Sequence, residues 1–121
     1  MKNNEKVKRK LQEVAFWGKE VFMNGISYYE IKRGLLDINA KKKLIIFDEI
    51  CKRFKILLLD NLEIFDRASN IHVDLKQRGK TIGDADILIA SISLIQNLIL
   101  VSADNDFREI KGITVENWLK I

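Results

Sequence analysis

Residues 81 to 107, TIGDADILIASISLIQNLILVSADNDF, carry the fold in their spacing. The segment Ile87 to Ile95 is apolar on almost every side of a helix. It ends at Asn97 and is followed at once by the run Leu98-Ile99-Leu100-Val101. A helix apolar all round is buried on most sides, and a strand apolar on both faces belongs to a parallel sheet covered by helices. The expected class is therefore an α/β layered domain. Every charged residue from Thr81 to Phe107 is an aspartate: Asp84 and Asp86 open the helix, and Asp104 and Asp106 follow the strand.

Working outward, the segment before this stretch reads as a helix. Ile64, Ala68, Ile71 and Leu75 recur at helical spacing, Asp60 with Glu63 can open it, and Gly79 can close it in a left-handed conformation. Lys55 to Leu59 is a short apolar run expected to be a buried strand, and Leu44, Phe47, Cys51 and Phe54 share one face of the helix ahead of it. Ser27 and Glu30 have the form of a capping box at the start of a helix from Tyr28 to about Leu36, behind a strand-like Val21 to Met23. Val7, Leu11 and Val14 mark a first amphipathic helix, and Ile113 to Trp118 is the expected last strand.

The 121 residues, 47% hydrophobic and 31% charged, make one domain over 1–121. No stretch reaches the ~20 apolar residues of a membrane span, and the basic start lacks the apolar core of a secretory signal. One cysteine (Cys51) and one histidine (His72) leave no disulfide and no zinc set, so a cytoplasmic protein is expected and any metal must be held by oxygen. His72 is given no role. The net charge of +4 permits a polyanionic partner, with basic residues gathered in Lys2 to Lys10 and Lys41 to Lys43.

In an open α/β sheet, ligands bind at the carboxyl ends of strands, where both aspartate pairs fall. Clustered carboxylates repel one another, and a divalent cation relieves that repulsion. All-oxygen ligation favours Mg²⁺ or Mn²⁺, which activates water and neutralises charge in phosphodiester hydrolysis. Plainer roles stand beside this. Asp84 is placed to cap its helix, and Asp86 complements the helix dipole. Asp104-Asn105-Asp106 is also an ordinary turn, and Glu30 a capping-box residue. Lys41 to Lys43 reads as a solvated face, and the two tryptophans and two tyrosines as packing residues.

Four segments in order carry a family resemblance. They are Ile26 to Gly34 (ISYYEIKRG), Gly79 to Ala90 (GKTIGDADILIA), Leu100 to Phe107 (LVSADNDF) and Gly112 to Trp118 (GITVENW). Together they resemble a PIN domain, above all the VapC toxins of prokaryotic toxin–antitoxin pairs. The resemblance implies a three-layer α/β/α domain with a parallel sheet. It also implies a Mg²⁺-dependent endoribonuclease that acts on RNA, forms a homodimer and is silenced by a cognate antitoxin. Carried over by motif, the family's acids fall on Glu30, Asp86, Asp104 and Asp106 as metal and catalytic residues, with Ser102 at a supporting hydroxyl position. Asp84 lies outside the usual acid positions and is kept as a cap and outer-shell group.

The family begins with a central apolar strand ending in an aspartate. This sequence begins at Met1-Lys2-Asn3-Asn4, which resembles the stretch just after that strand. The expectation is thus an N-terminally incomplete PIN-like domain lacking the first central strand, with little or no ribonuclease activity from these 121 residues. The alternative is a degenerate, non-catalytic PIN domain that binds antitoxin or RNA. A receiver-like phosphoacceptor domain would want an acid pair after its first strand and a lysine after a late one, and neither is visible.

Overall fold

The structure is a computed structural model that describes residues 2–119; Met1, Lys120 and Ile121, the ends of the expected domain, lie outside the described residues, as do the side chains of Lys2 to Asn4 in the basic cluster. In chain order the elements are α1 (Lys2–Phe16), β1 (Phe22–Asn24), α2 (Gly25–Asp37), α3 (Lys41–Cys51), β2 (Lys55–Leu57), α4 (Leu62–Gln77), α5 (Asp84–Ile95), β3 (Leu100–Val101), a 3₁₀ turn (Asn105–Glu109) and β4 (Val115–Glu116). The chain divides into two compact units. The first is Met1–Lys19 with Asp60–Ile121, and the second is Glu20–Leu59. The described strands are hydrogen-bonded in two parallel pairs, β1 with β2 and β3 with β4, so the α/β class and the parallel pairing hold within each unit.

The first unit is organised by α4 and α5. The expected face of α4 is the buried one: Ile64, Ala68, Ile71 and Leu75 all pack inward. The isoleucine and leucine side chains among them contribute roughly 1.5–3 kcal/mol each when fully buried. On α5, Ile87, Ile89, Ala90, Ser91, Ile92 and Ser93 are buried, as its continuous apolar run requires. Ser91 sits wholly inside and donates its hydroxyl proton to the Ile64 carbonyl of α4. A buried hydroxyl left unpaired would cost about 1–3 kcal/mol, so this bond makes serine tolerable at the helix contact. Gly79, at φ +71°, ends α4, and the next amide, Lys80 N–H, returns to the Leu75 carbonyl. This is the left-handed helix stop that glycine adopts without steric cost.

In the second unit β1 runs parallel to β2, with Phe22 opposite Lys55 and Asn24 opposite Leu57. A Cβ on Gly25 would meet the Leu57 carbonyl oxygen at 3.3 Å, which explains a glycine where β1 turns into α2. Lys32 on α2 reaches Asp48 on α3 at 2.7 Å, and the Tyr28 and Phe47 rings lie 5.5 Å apart. Phe47 is the buried residue of α3. Leu57 and Ile56 are only half-buried and Leu58 is exposed, so the run Lys55 to Leu59 is not the fully buried strand its composition implied.

The helix caps differ from those expected by one to three residues. Asn24 caps α2, its side chain accepting from Ser27 N–H at 2.8 Å, so Ser27 and Glu30 do not form a capping box. Asn61, and not Asp60, caps α4 by accepting from Glu63 N–H. Gly83 precedes α5 without a side-chain cap, which makes Asp84 its first helical residue and not its cap. Among the described residues no helix is long and apolar enough to cross a membrane.

Candidate functional site

Asp84 and Asp86 occupy the first turn of α5, where unpaired N–H groups and the helix dipole favour negative charge. Asp84 is exposed and Asp86 half-buried. Asp104 and Asp106 lie just beyond the carboxyl end of β3, both exposed, on the segment that leads into the 3₁₀ turn. That segment is built by two successive side-chain bonds. Ser102 Oγ accepts from Asp104 N–H at 3.1 Å, and Asp104 Oδ1 accepts from Asp106 N–H at 2.9 Å. The turn role foreseen for Asp104 is therefore real. It engages one carboxylate oxygen and leaves the chemistry of the other open. Ser102 acts here on its neighbour's backbone. Phe107, buried, anchors the middle of the turn.

Glu30 belongs to the second unit. It stands six residues past its helix cap at Asn24, exposed, with no part in capping. The structural role that competed with a functional one at this position is thus removed.

A set of charges that sequence reasoning missed holds the far end of the acidic segment. Arg78 donates to Asp74 from Nε and Nη2, at 3.1 and 2.8 Å, and from Nη2 also to the Glu109 carbonyl. Lys111 lies 3.3 Å from Asp74, and Lys80 3.6 Å from the Glu109 carboxylate. The Arg78 hydrogen bond, joined by Lys111, holds the Asp74 carboxyl below the ordinary aspartate range. The only local signal was Asp74 and Arg78 at i, i+4 near a helix end.

Nothing in the donor set is softer than oxygen at these positions, which suits a hard divalent cation. Among the described residues, however, no three His, Cys, Asp or Glu side chains come together in a way that could hold a metal ion. The described carboxylates do not form a complete metal cage.

A family profile for the PIN domain matches residues 2–113. The chain belongs to the PIN domain family. Among curated relatives, this PIN domain is 33% identical over 72 residues to Ribonuclease VapC2 of Rickettsia felis, a match covering 53% of this chain and 54% of the relative. It is 36% identical over 90 residues to Ribonuclease VapC1 of Methanocaldococcus jannaschii, covering 74% and 60%. The matches thus span between about half and three-fifths of those relatives' length. Among solved structures, VapBC2 from Rickettsia felis bound to a promoter DNA fragment aligns with TM-score 0.82 at 24% identity, covering 92% of this chain and 84% of the other. DNA-bound VapBC from Salmonella typhimurium aligns with TM-score 0.83 at 20% identity, covering 94% and 85%. At such identities the likeness establishes the fold, which is the α/β fold expected from the sequence.

Proposed function

We propose that this PIN domain is a toxin ribonuclease of the VapC type, hydrolysing RNA phosphodiester bonds in the cytoplasm under the control of a cognate antitoxin. The observation that carries this is the coincidence of two facts. The family match spans residues 2–113, and the acids that the motif resemblance assigns to the chemistry stand at the start of α5 and just after β3. Asp86, Asp104 and Asp106 are the residues we assign to the chemistry, with Ser102 ordering the Asp104 loop, and Glu30 is assigned on its motif alone. The proposed cofactor is Mg²⁺ or Mn²⁺, on the strength of an all-oxygen donor set. Since the described carboxylates do not suffice to hold it, cleavage is expected only when a further carboxylate completes the set.

The antitoxin reading draws on the second unit, whose helices leave Tyr29, Leu36, Ile38, Ile45 and Ile46 more than half exposed. An apolar surface of that extent on one short segment is the kind that a partner covers. The relatives solved as VapBC assemblies make an antitoxin tail the proposed occupant. A homodimer is the proposed assembly of the toxin itself. The second reading, a PIN domain that binds antitoxin or RNA without cutting, draws on there being no metal-holding trio among the described residues.

One experiment separates the two. RNA cleavage is measured with and without Mg²⁺ for these 121 residues and for a version carrying an apolar strand ending in aspartate ahead of Lys2. Mg²⁺-dependent cutting by the extended version supports the nuclease. Antitoxin or RNA binding with no cutting by either supports the binding module.

A further inference from the structure

We propose that Arg78 is a positioning residue for the acidic segment 102–110, acting as an electrostatic latch between α4 and the 3₁₀ turn. As to function, the proposal rests on the nuclease reading of Asp104 and Asp106. As to structure, it stands on the contacts alone.

Those contacts fasten the segment at both ends. At its start, Ser102 and Asp104 order the backbone through bonds only two residues long. Such bonds shape a turn locally but do not fix where it sits in the molecule. Its far end is different. Glu109 ends the 3₁₀ turn, and the Glu109 carbonyl receives Arg78 across 31 positions of sequence. Arg78 is itself held firmly. It is the C-cap of α4, and its backbone N–H reaches the Asp74, Leu75 and Lys76 carbonyls. Its guanidinium is gripped by Asp74 through two donors. A cation here also complements the negative end of the α4 dipole. The latch thus projects from the end of α4, whose inner face is buried, onto the loop that carries two carboxylates.

The arrangement is doubly braced, since Asp74 also faces Lys111 and Glu109 also faces Lys80. Exposed ion pairs add little to global stability, so this network is poorly suited to holding the domain folded. A planar fork that bonds a carboxylate and a carbonyl together is well suited to fixing direction, and a lysine cannot reproduce it. The network is also partly exposed and therefore open to screening by salt.

The test is amide hydrogen exchange on the intact chain, read at Asp106 and Ile110 in the segment and at α4 and α5 as reference. In Arg78→Ala the segment is expected to exchange about tenfold faster while α4 and α5 are unchanged, with Arg78→Lys in between. In the parent, 1 M NaCl should speed exchange in the segment, and in Arg78→Ala it should add less, because only the Lys80–Glu109 and Lys111–Asp74 pairs are left to screen. Unchanged exchange in the segment, or an equal rise throughout α4 and α5, overturns the latch.

A parallel titration with Mn²⁺, following paramagnetic broadening of the Asp104 and Asp106 amides in the extended version, separates the two claims. Broadening in the parent that needs several-fold more Mn²⁺ in Arg78→Ala supports both. Broadening that is equal in parent and variant overturns the positioning role. No broadening in either counts against the metal reading of the acids, and the exchange result alone then decides the latch.

Discussion

The unit built on α4 and α5 and the unit built on α2 and α3 both leave some apolar side chains exposed, but they differ in how many they bury. Every buried hydrophobic residue among those described, Phe47 excepted, belongs to the first unit. The second unit displays Leu36 at 58%, Ile38 at 68% and Ile45 at 65% exposure on helices that face water. Isoleucine and leucine are no less hydrophobic in one place than in the other, so the contrast concerns what covers them. Intramolecular packing makes the first unit a platform for the acidic segments. The second leaves these side chains exposed, and under the proposed function this is where a controlling partner acts.

The sharpest way to break that contrast is to cut into each unit in turn. Ile64→Ala removes a side chain that is 1% exposed and should cost about 2–5 kcal/mol in urea unfolding. Ile45→Ala should stay within about 0.5 kcal/mol of the parent. Equal losses would mean that the second unit's surface is covered within the chain after all.

A second comparison sharpens the partner side. Ile45→Asp and Leu36→Asp should weaken co-purification with the proposed cognate antitoxin by about tenfold or more, because a charge in an apolar contact is left unpaired. The unfolding midpoint should not move. Loss of midpoint together with loss of binding would place these residues in the fold and not in an interface.

The smallest effect concerns pH. Asp74 is held below the ordinary aspartate range by Arg78 first and Lys111 next. A carboxyl depressed in the folded state contributes stability above its unfolded value of about 3.9, and that stability is lost as pH falls through the lower folded value. Parent and Asp74→Asn should therefore differ slightly at neutral pH and converge only in strong acid. Convergence already at pH 5 would mean that Asp74 is not held by these cations.

What the sequence made legible follows from the range of each interaction. The α4 face was readable because helical periodicity is a local property that burial merely confirms at Ile64, Ala68, Ile71 and Leu75. The buried α5 was readable for the same reason. The caps were displaced because several good cap residues lie within a few positions of each other. Asp60 beside Asn61 and Ser27 beside Asn24 are alternatives that only backbone angles decide. The partial exposure of Lys55 to Leu57 was not readable, since composition reports what a strand can bury and not what lies beside it. The Arg78 contact with Glu109 joins residues far apart in sequence, and no spacing rule reaches that distance. At the acids, the resemblance assigns Asp86, Asp104 and Asp106 by motif, and the structure shows Asp86 in the first turn of α5 and Asp104 capping the 3₁₀ turn.

The central claim, that these acids serve RNA hydrolysis, is tested most directly at Asp86. Its place in the first turn of α5 gives it a dipole role worth a few tenths to ~1 kcal/mol, which asparagine forfeits with the charge while keeping the shape, a loss small enough to leave the helix formed. Asp86→Asn is made in the version extended by an apolar strand ending in aspartate, and Mg²⁺-dependent cleavage of RNA is measured beside helix content. Abolished cleavage with unchanged helix content is the predicted result. Cleavage equal to the parent's would make Asp86 a helix-start charge and nothing more, and the assignment of the site would be wrong.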